Sequence, residues 1–151
     1  MVATNNYIPE KIYKSLLEYA PRVCVDLVIV NGKRFLLGKR KIDPAKGRWI
    51  FIGGRILKNE SKENAVRRKL KEELGIYPPK LYPKLLGVGE TFFKNQKIKQ
   101  HDIIIVFLIK TKGKEFKNFD KNQHSQLAWF DKINPSWHPH IKNMLKTAGF
   151  K

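Results

Sequence analysis

The feature that most constrains the fold is the charged segment GGRILKNESKENAVRRKLKEELGI, residues 53–76. Ser61 can begin a helix by accepting a hydrogen bond from a free backbone N–H, and Gly75 can end one by adopting a left-handed conformation. Aliphatic residues between them recur at helical spacing, so the segment predicts a glycine turn followed by one amphipathic helix. The stripe expected to pack on a sheet consists of Val66, Leu70 and Leu74.

The rest of the chain consists of short apolar strands, with one predicted helix near each end. Asn31-Gly32 is typical of the tight turn of a β-hairpin, and Pro139 is typical of the first turn of a helix. This order of elements predicts an α/β (α+β) fold with a mixed sheet. The predicted elements are a helix over 8–20 with Pro9 in its first turn, strands over 22–30, 33–40, 48–54, 84–93, 100–111 and 127–130, and a helix over 139–148.

Length and composition predict a single domain spanning 1–151, which contains one cysteine, Cys24, in an apolar run. No apolar run approaches the roughly 18 residues needed to cross a membrane, and the start lacks the pattern of a signal peptide, so we expect a cytoplasmic protein. The 31 basic and 13 acidic residues give a net charge of +18. Such a surface attracts phosphates, but it is equally typical of a lysine-rich soluble surface or of growth at high temperature.

The glutamates of the charged segment have two interpretations. Glu73 lies at the edge of the apolar stripe, so a sheet would hold it in place, and the preceding glycine pair leaves carbonyl oxygens accessible. Carboxylate and carbonyl oxygens suit Mg²⁺ or Mn²⁺. The alternative is a solvated helix in which Arg68 pairs with Glu72, and Lys69 with Glu73, at about 0.2–0.5 kcal/mol per pair.

The spacing of the whole segment resembles the Nudix box. Its fixed positions are Gly54, Glu60, Arg68, Leu70, Glu72, Glu73, Gly75 and Ile76. The resemblance implies an α/β/α sandwich around a mixed sheet, and divalent-metal-dependent hydrolysis of nucleoside diphosphates linked to another group. It also implies an ion pair between Glu60 and Arg68, with Glu72 and Glu73 as candidate metal ligands. Two positions depart from the family pattern, which usually has glutamate at Lys69 and proline at Ile52.

Beyond the box, the chain resembles the GDP-mannose mannosyl hydrolase branch in the segments VDLVIV, FLLGKR, DPAKGRW, GGRI and NQH. This resemblance implies Mg²⁺ (or Mn²⁺) held by Glu73, the Gly53 carbonyl and the Gln123 side chain. His124 would be the general base for attack of water at the anomeric carbon, releasing GDP and free hexose with inversion. The remaining implied assignments are a diphosphate site at Arg40 and Arg55, a substrate-orienting role for Asp26, and a homodimer across which the helix over 8–20 packs.

Each of these residues also has a simpler interpretation. Asp26 interrupts an apolar strand and could be an inert, paired carboxylate, and His124 in its polar loop could be merely exposed. His101, His138 and His140 match no motif. Two other functions remain open: a pyrophosphohydrolase that attacks phosphorus, favoured by the retained Glu72, and a basic nucleic-acid-binding module on a degenerate Nudix scaffold. Since nucleic-acid binding rests on charge alone, a nucleotide sugar is the expected partner.

Overall fold

The sheet of this protein is built around one long buried strand. The computed structural model describes residues 8–76, 82–112, 116 and 118–151, and within them it contains three helices and seven strands. These are α1 (Glu10–Tyr19), β1 (Arg22–Asn31), β2 (Arg34–Arg40), β3 (Trp49–Ile50), β4 (Ile52–Arg55), α2 (Lys62–Leu74), β5 (Lys84–Phe93), β6 (Gln100–Lys110), β7 (His124–Phe130) and α3 (Pro139–Thr147). In these ranges no helix is both long enough and apolar enough to span a bilayer.

The strands form a mixed sheet in the order β3-β2-β1-β6-β5. β1 runs parallel to β6 and antiparallel to its other partners. β1 and β2 pair only beside their turn, at Val30↔Phe35 and Asn31↔Arg34, and then separate. β4 takes over the pairing with β1, whereas β3 and β7 pair with β2. The sheet therefore divides at the point where the glycine pair of β4 lies.

Side chains of β1 alternate between two cores because successive residues of a strand point to opposite faces. One face packs against α2 and the other against α3, so the molecule is the predicted α/β/α sandwich. The core on the α2 face includes Val25, Leu27, Ile29, Val66, Leu70 and Leu74. The core on the α3 face includes Cys24, Val28, Val30, Phe51, Ile141 and Leu145.

Most predicted boundaries are confirmed, and α2 is the clearest case. The Ser61 side chain accepts a hydrogen bond from the Asn64 N–H at 3.1 Å, and Gly75 adopts the left-handed conformation at φ 65°. Pro139 begins α3, and strands 84–93 and 100–110 pair as expected. Cys24 is buried as predicted, and burial raises the pKa of its thiol to about 12.

Three predictions were wrong in detail. The strand over 48–54 is interrupted at Phe51, because its two halves pair with different strands. Asn31 pairs with Arg34, so the hairpin turn consists of Gly32 and Lys33, with φ positive at Gly32. The last strand begins at His124, three residues before the predicted 127–130, because the basic loop preceding it is shorter than its polarity indicates. Residues 113–115 and 117 of that loop lie outside the described residues.

The N-terminal helix α1 begins one residue later than its proline predicts, with Pro9 just before the first turn. None of its residues is buried. Its apolar residues Ile12, Leu16 and Tyr19 are exposed, and the neighbouring Val23 is exposed as well. The apolar periodicity of the sequence therefore describes a face that this chain alone leaves uncovered.

Candidate active site

A cleft opens on the α3 face of the sheet, beside the glycine pair of β4. Asp26 of β1 lies directly opposite Gly53 of β4. A Cβ atom at position 53 would collide with the Val25 carbonyl oxygen and with Asp26 Oδ1, so only glycine lets the two strands approach this closely. Three kinds of side chain line the cleft: the guanidinium groups of Arg22, Arg40 and Arg48, the aromatic rings of Trp49, Phe51 and Phe93, and the acids Asp26 and Asp102.

At the floor of the cleft Asp26 forms a pair with a histidine. His140 Nε2 lies 2.8 Å from Asp26 Oδ2, and the imidazole is buried against Gly89 and Phe51. His140 is held in the first turn of α3, where the ring of His138 accepts a hydrogen bond from its backbone N–H. Burial raises the pKa of Asp26 above its ordinary value of 3.8, and the hydrogen bond from His140 opposes that rise.

A second carboxylate–histidine pair lies on the other face of the sheet. His124 Nε2 is 2.7 Å from Glu73 Oε2, and the Lys69 ammonium is 2.5 Å from Glu73 Oε1. Burial acts to raise the pKa of the Glu73 carboxyl, but the hydrogen bond from His124 and the charge of Lys69 outweigh it and hold the pKa below its ordinary value. Both oxygens of Glu73 are therefore engaged.

The setting of His124 differs from the expected one. The sequence places His124 in a polar loop, either as a general base able to approach a sugar or as a merely exposed side chain. In the structure it is the first residue of β7, and its side chain is only 1% exposed. The ring packs on Gly38, where a Cβ atom would collide with it. The strand begins earlier than its apolar residues indicate because His124 itself supplies a buried side chain.

The ion pair implied by the box is present and fixes the turn before α2. Arg68 Nε donates to Glu60 Oε1 at 2.7 Å, and Arg68 Nη2 donates both to Glu60 Oε2 and to the Arg55 carbonyl. Glu60 in turn accepts from the Leu57 N–H at 3.0 Å. Bidentate contacts of this kind are the stronger class of ion pair, so this one ties the loop to the helix and to β4.

The other candidate residues are distributed around these two pairs. Glu72 is exposed and contacts Arg68 at 3.2 Å and Lys69 at 3.5 Å. Gln123 adjoins His124, and its carbonyl oxygen accepts from the Lys41 N–H. Arg40 lines the cleft, and partial burial lowers the pKa of its guanidinium. Arg55 does not belong to the described lining of the cleft.

The donor set can be tested against a divalent ion. Within the part of the chain that the structure describes, no three His, Cys, Asp or Glu side chains converge into a metal-binding group. The Lys69 ammonium contacts Glu73 Oε1, and a Cβ atom at Gly54 would lie 3.2 Å from the same Nζ. Carboxylate oxygens are ligands that Mg²⁺ prefers, and Glu73 Oε1 is open to such an ion only if the Lys69 ammonium is displaced.

Several cleft residues were missed by sequence reasoning. Arg22 binds both oxygens of Asp102 at 2.8 Å, and it also donates to the hydroxyl of Tyr13 in α1. His140 carried a signal that could have been used: it shares a helical face with Ile141 and Leu145, the buried side of α3. A histidine on an apolar face needs a buried partner, and the lone carboxylate of β1 supplies it.

Comparisons with known proteins identify relatives over most of the chain. The family model of the NUDIX domain matches residues 20–146. The low-salt glycan biosynthesis protein Agl8 of Haloferax volcanii is 32% identical over 142 residues, which cover 91% of this chain and 88% of that protein. The ADP-ribose pyrophosphatase of Methanocaldococcus jannaschii is 36% identical over 114 residues, or 76% of this chain and 64% of that protein.

A solved structure gives the same result for the fold. The MutT NUDIX hydrolase of Burkholderia pseudomallei superposes with a TM-score of 0.70 at 29% identity, covering 84% of this chain and 97% of that one.

Proposed function

Because the chain belongs to the Nudix family of hydrolases, we propose that it hydrolyses a nucleoside diphosphate sugar and that water attacks a phosphorus atom of the diphosphate. The products would be a nucleoside monophosphate and a sugar phosphate. The observation that supports attack at phosphorus rather than at carbon is the burial of His124. Nε2 of His124 is held by Glu73, and Nδ1, which has no hydrogen-bond partner among the described residues, is buried against Gly38. Neither nitrogen is open to a substrate in the cleft.

The substrate class is supported by the cleft and by the relatives. Arg40 and Arg48 present guanidinium groups to the cleft, and planar guanidinium groups match phosphate oxygens through paired hydrogen bonds. We assign Arg40 to the diphosphate together with Arg55, which lies on β4 two residues beyond Gly53. One relative is named for glycan biosynthesis and the other for ADP-ribose, which is itself a sugar joined to a nucleoside diphosphate.

Asp26 is assigned to orient the substrate. Its Oδ2 is held by His140, and its side chain is 17% exposed at the cleft. A carboxylate with one oxygen fixed presents the other to a donor, and the hydroxyl groups of a sugar or the amino and imino groups of a base are such donors. Fixing the acceptor in advance lowers the cost of ordering it when the substrate binds.

Hydrolases of this family generally use divalent metals, and we assign Mg²⁺ (or Mn²⁺) to Glu73, the Gly53 carbonyl, Gln123 and Glu72. When bound, such an ion polarises a phosphoryl oxygen and stabilises the charge that develops on it. In this assignment His124 positions Glu73 by holding Oε2. The positive charge of Arg40 and Arg55 stabilises the departing group.

Product analysis in ¹⁸O water tests the position of attack. A panel that includes GDP-mannose and ADP-ribose should give label in a phosphate group, together with a nucleoside monophosphate. Label in free sugar together with an unlabelled nucleoside diphosphate would show attack at carbon and overturn the proposal.

A variant of His124 tests the same point independently. His124→Gln keeps an N–H that can donate to Glu73 but cannot act as a base, so it should retain activity to within about tenfold to a hundredfold, the effect of disturbing a neighbour of a metal ligand. If His124 were the general base, His124→Gln would lower the rate roughly 10²–10⁴-fold, and its pH–rate profile would no longer show the ionisation of a base.

A second candidate function is attack at the anomeric carbon, which releases a nucleoside diphosphate and free hexose. It is favoured by Lys69, which stands where the family usually has an acid, because fewer carboxylates mean fewer metal ions to activate water at phosphorus. In that case His124 would be the general base, and it would have to leave Glu73 to reach the sugar. The ¹⁸O experiment separates the two candidates.

We also assign a homodimer whose contact includes α1. Its apolar residues Ile12, Leu16 and Tyr19 are exposed together, as are Val88 and Phe92 on β5. Leu16→Glu should convert a dimer into a monomer in light scattering, whereas Lys11→Glu on the same helix is the matched control. A monomeric wild-type protein would overturn this assignment.

A further inference from the structure

Lys69 is a largely buried lysine that lies one helical turn before Glu73 on α2. Its side chain is only 14% exposed. The ammonium contacts Glu73 Oε1 at 2.5 Å and Glu72 Oε2 at 3.5 Å. Its stem lies against β4, where a Cβ atom at Gly54 would lie 3.0 Å from Lys69 Cε. The lysine therefore fills the space between the glycine turn and the buried carboxylate.

The ammonium lies where a metal cation coordinated by Glu73 would have to lie. An ion coordinated by Glu73 must approach one of its two oxygens, and Lys69 occupies Oε1 while His124 occupies Oε2. His124 is fixed by its enclosure against Gly38. A lysine, by contrast, carries its charge on a flexible four-carbon stem. Lys69 is therefore the group that can move away from Glu73 and free one of its oxygens.

We propose that Lys69 acts as a counter-ion of Glu73. Its ammonium occupies the position that a divalent cation would take and competes with that cation for Oε1. The inference rests on Glu73 being a metal ligand, as assigned above. The ammonium neutralises the buried carboxylate when no metal is bound, and a divalent ion binds only by displacing it. The chain thereby keeps its site ordered without metal, at the cost of a weaker affinity for the ion.

Binding of Mn²⁺ in the absence of substrate tests the proposal. Lys69→Gln removes the competing charge, so the dissociation constant for Mn²⁺, measured by electron paramagnetic resonance of the free ion, should fall about tenfold or more. Lys69→Arg keeps the cation and should stay within about threefold of wild type. Lys62→Gln is the matched control, because it makes the same charge change on an exposed position at the other end of α2.

Thermal unfolding supplies a second measurement. Without metal, Lys69→Gln leaves Glu73 with one partner fewer and should melt at a lower temperature than the Lys62→Gln control. Saturating Mn²⁺ should raise the melting temperature of Lys69→Gln by more than that of wild type, because tighter binding to the native state stabilises it more. Lys69→Met, which keeps much of the apolar stem, serves for both measurements if the glutamine variant does not fold.

Two outcomes would overturn the proposal. The first is an unchanged or weaker Mn²⁺ affinity in Lys69→Gln or Lys69→Met. The second is an Mn²⁺ affinity that Glu73→Gln leaves unaltered, which would place the ion elsewhere. Neither outcome depends on the products formed, so a failure here is distinguishable from a failure of the proposed position of attack.

Discussion

The two buried carboxylate–histidine pairs lie on opposite faces of one sheet and have nearly the same geometry. Glu73 and His124 approach to 2.7 Å on the α2 face, and Asp26 and His140 approach to 2.8 Å on the α3 face. Yet the pKa of Glu73 lies below its ordinary value, whereas that of Asp26 lies above it. The geometry of the pair therefore does not determine the direction of the shift.

The difference comes from a third group. Burial opposes ionisation of both carboxylates, but Glu73 also contacts the Lys69 ammonium, and the other acids near Asp26 are themselves negative. An additional cation favours the charged form, and neighbouring carboxylates disfavour it. Glu73 is thereby suited to remain an anion and bind a cation. Asp26, at the cleft, is suited to exchange hydrogen bonds with a ligand.

The largest expected effect is on catalysis. Substitution of Glu73 should act mainly on kcat, whereas substitution of Asp26 should act mainly on KM. Glu73→Gln should lower kcat about 10²–10³-fold, since it weakens the hold on the divalent ion that is assigned to stabilise the charge of the transition state. Asp26→Asn should act mainly through KM and lower kcat/KM about tenfold to a hundredfold, as loss of a hydrogen bond to a charged group does. Steady-state kinetics on the identified nucleotide sugar measures both.

The exposed Glu63 provides the control for these variants. Glu63 pairs with Lys62 at the start of α2, away from both carboxylate–histidine pairs, so Glu63→Gln should leave both parameters within about twofold of wild type. Equal loss of kcat in the Glu73 and Asp26 variants would contradict the division of roles, because both acids would then act in the same step.

The second effect is on stability and tests whether Lys69 protects its carboxylate. His140→Ala leaves the part-buried Asp26 carboxyl without its hydrogen-bond partner and should lower the free energy of unfolding by about 3 kcal/mol or more. His124→Ala removes a ring of the same size but leaves Glu73 paired with Lys69, so we expect a smaller loss of about 1–3 kcal/mol. Urea unfolding at neutral pH measures the two values.

Combining His124→Ala with Lys69→Gln sharpens this prediction. Glu73 then loses both partners, and the double variant should be less stable than the sum of the two single effects. Additive losses would mean that Lys69 does not compensate for the missing imidazole, and the contrast between the pairs would need another explanation.

Much of the α2 half of the site could be predicted from the sequence. Ser61, Gly75 and the apolar stripe define the helix by local rules, and Glu60 lies eight residues before Arg68 at a spacing that brings the two together. These relations span one turn and one helix, so they are encoded within a short segment. The resemblance to the Nudix box uses the same residues.

The α3 half could not be predicted because it depends on long-range contacts. Asp26 and His140 are 114 residues apart, and Arg22 and Asp102 are 80 apart. Neither pairing follows from local spacing, since each depends on which strands become neighbours. The buried setting of His124 was missed for the same reason: its partner Glu73 lies 51 residues away.

The smallest effect is on the pH dependence of stability, and here the two carboxylates should have opposite signs. Folding raises the pKa of Asp26 above 3.8, so the native state binds more protons than the unfolded state as pH rises past that value, and the stability contributed by Asp26 falls. Folding lowers the pKa of Glu73 below 4.5. Its contribution is present above that value and is lost as pH falls through the folded pKa.

Urea unfolding of wild type, Asp26→Asn and Glu73→Gln from about pH 3 to about pH 5.5 measures these slopes below the ordinary titration of histidine. Relative to wild type, Asp26→Asn should gain stability as pH rises, because the buried negative charge is absent. Glu73→Gln should lose stability over the same range, because the carboxylate held by Lys69 and His124 is absent. Slopes of the same sign in both variants would contradict the opposite pKa shifts of the two carboxylates, to which His124, Lys69 and the acids near Asp26 all contribute.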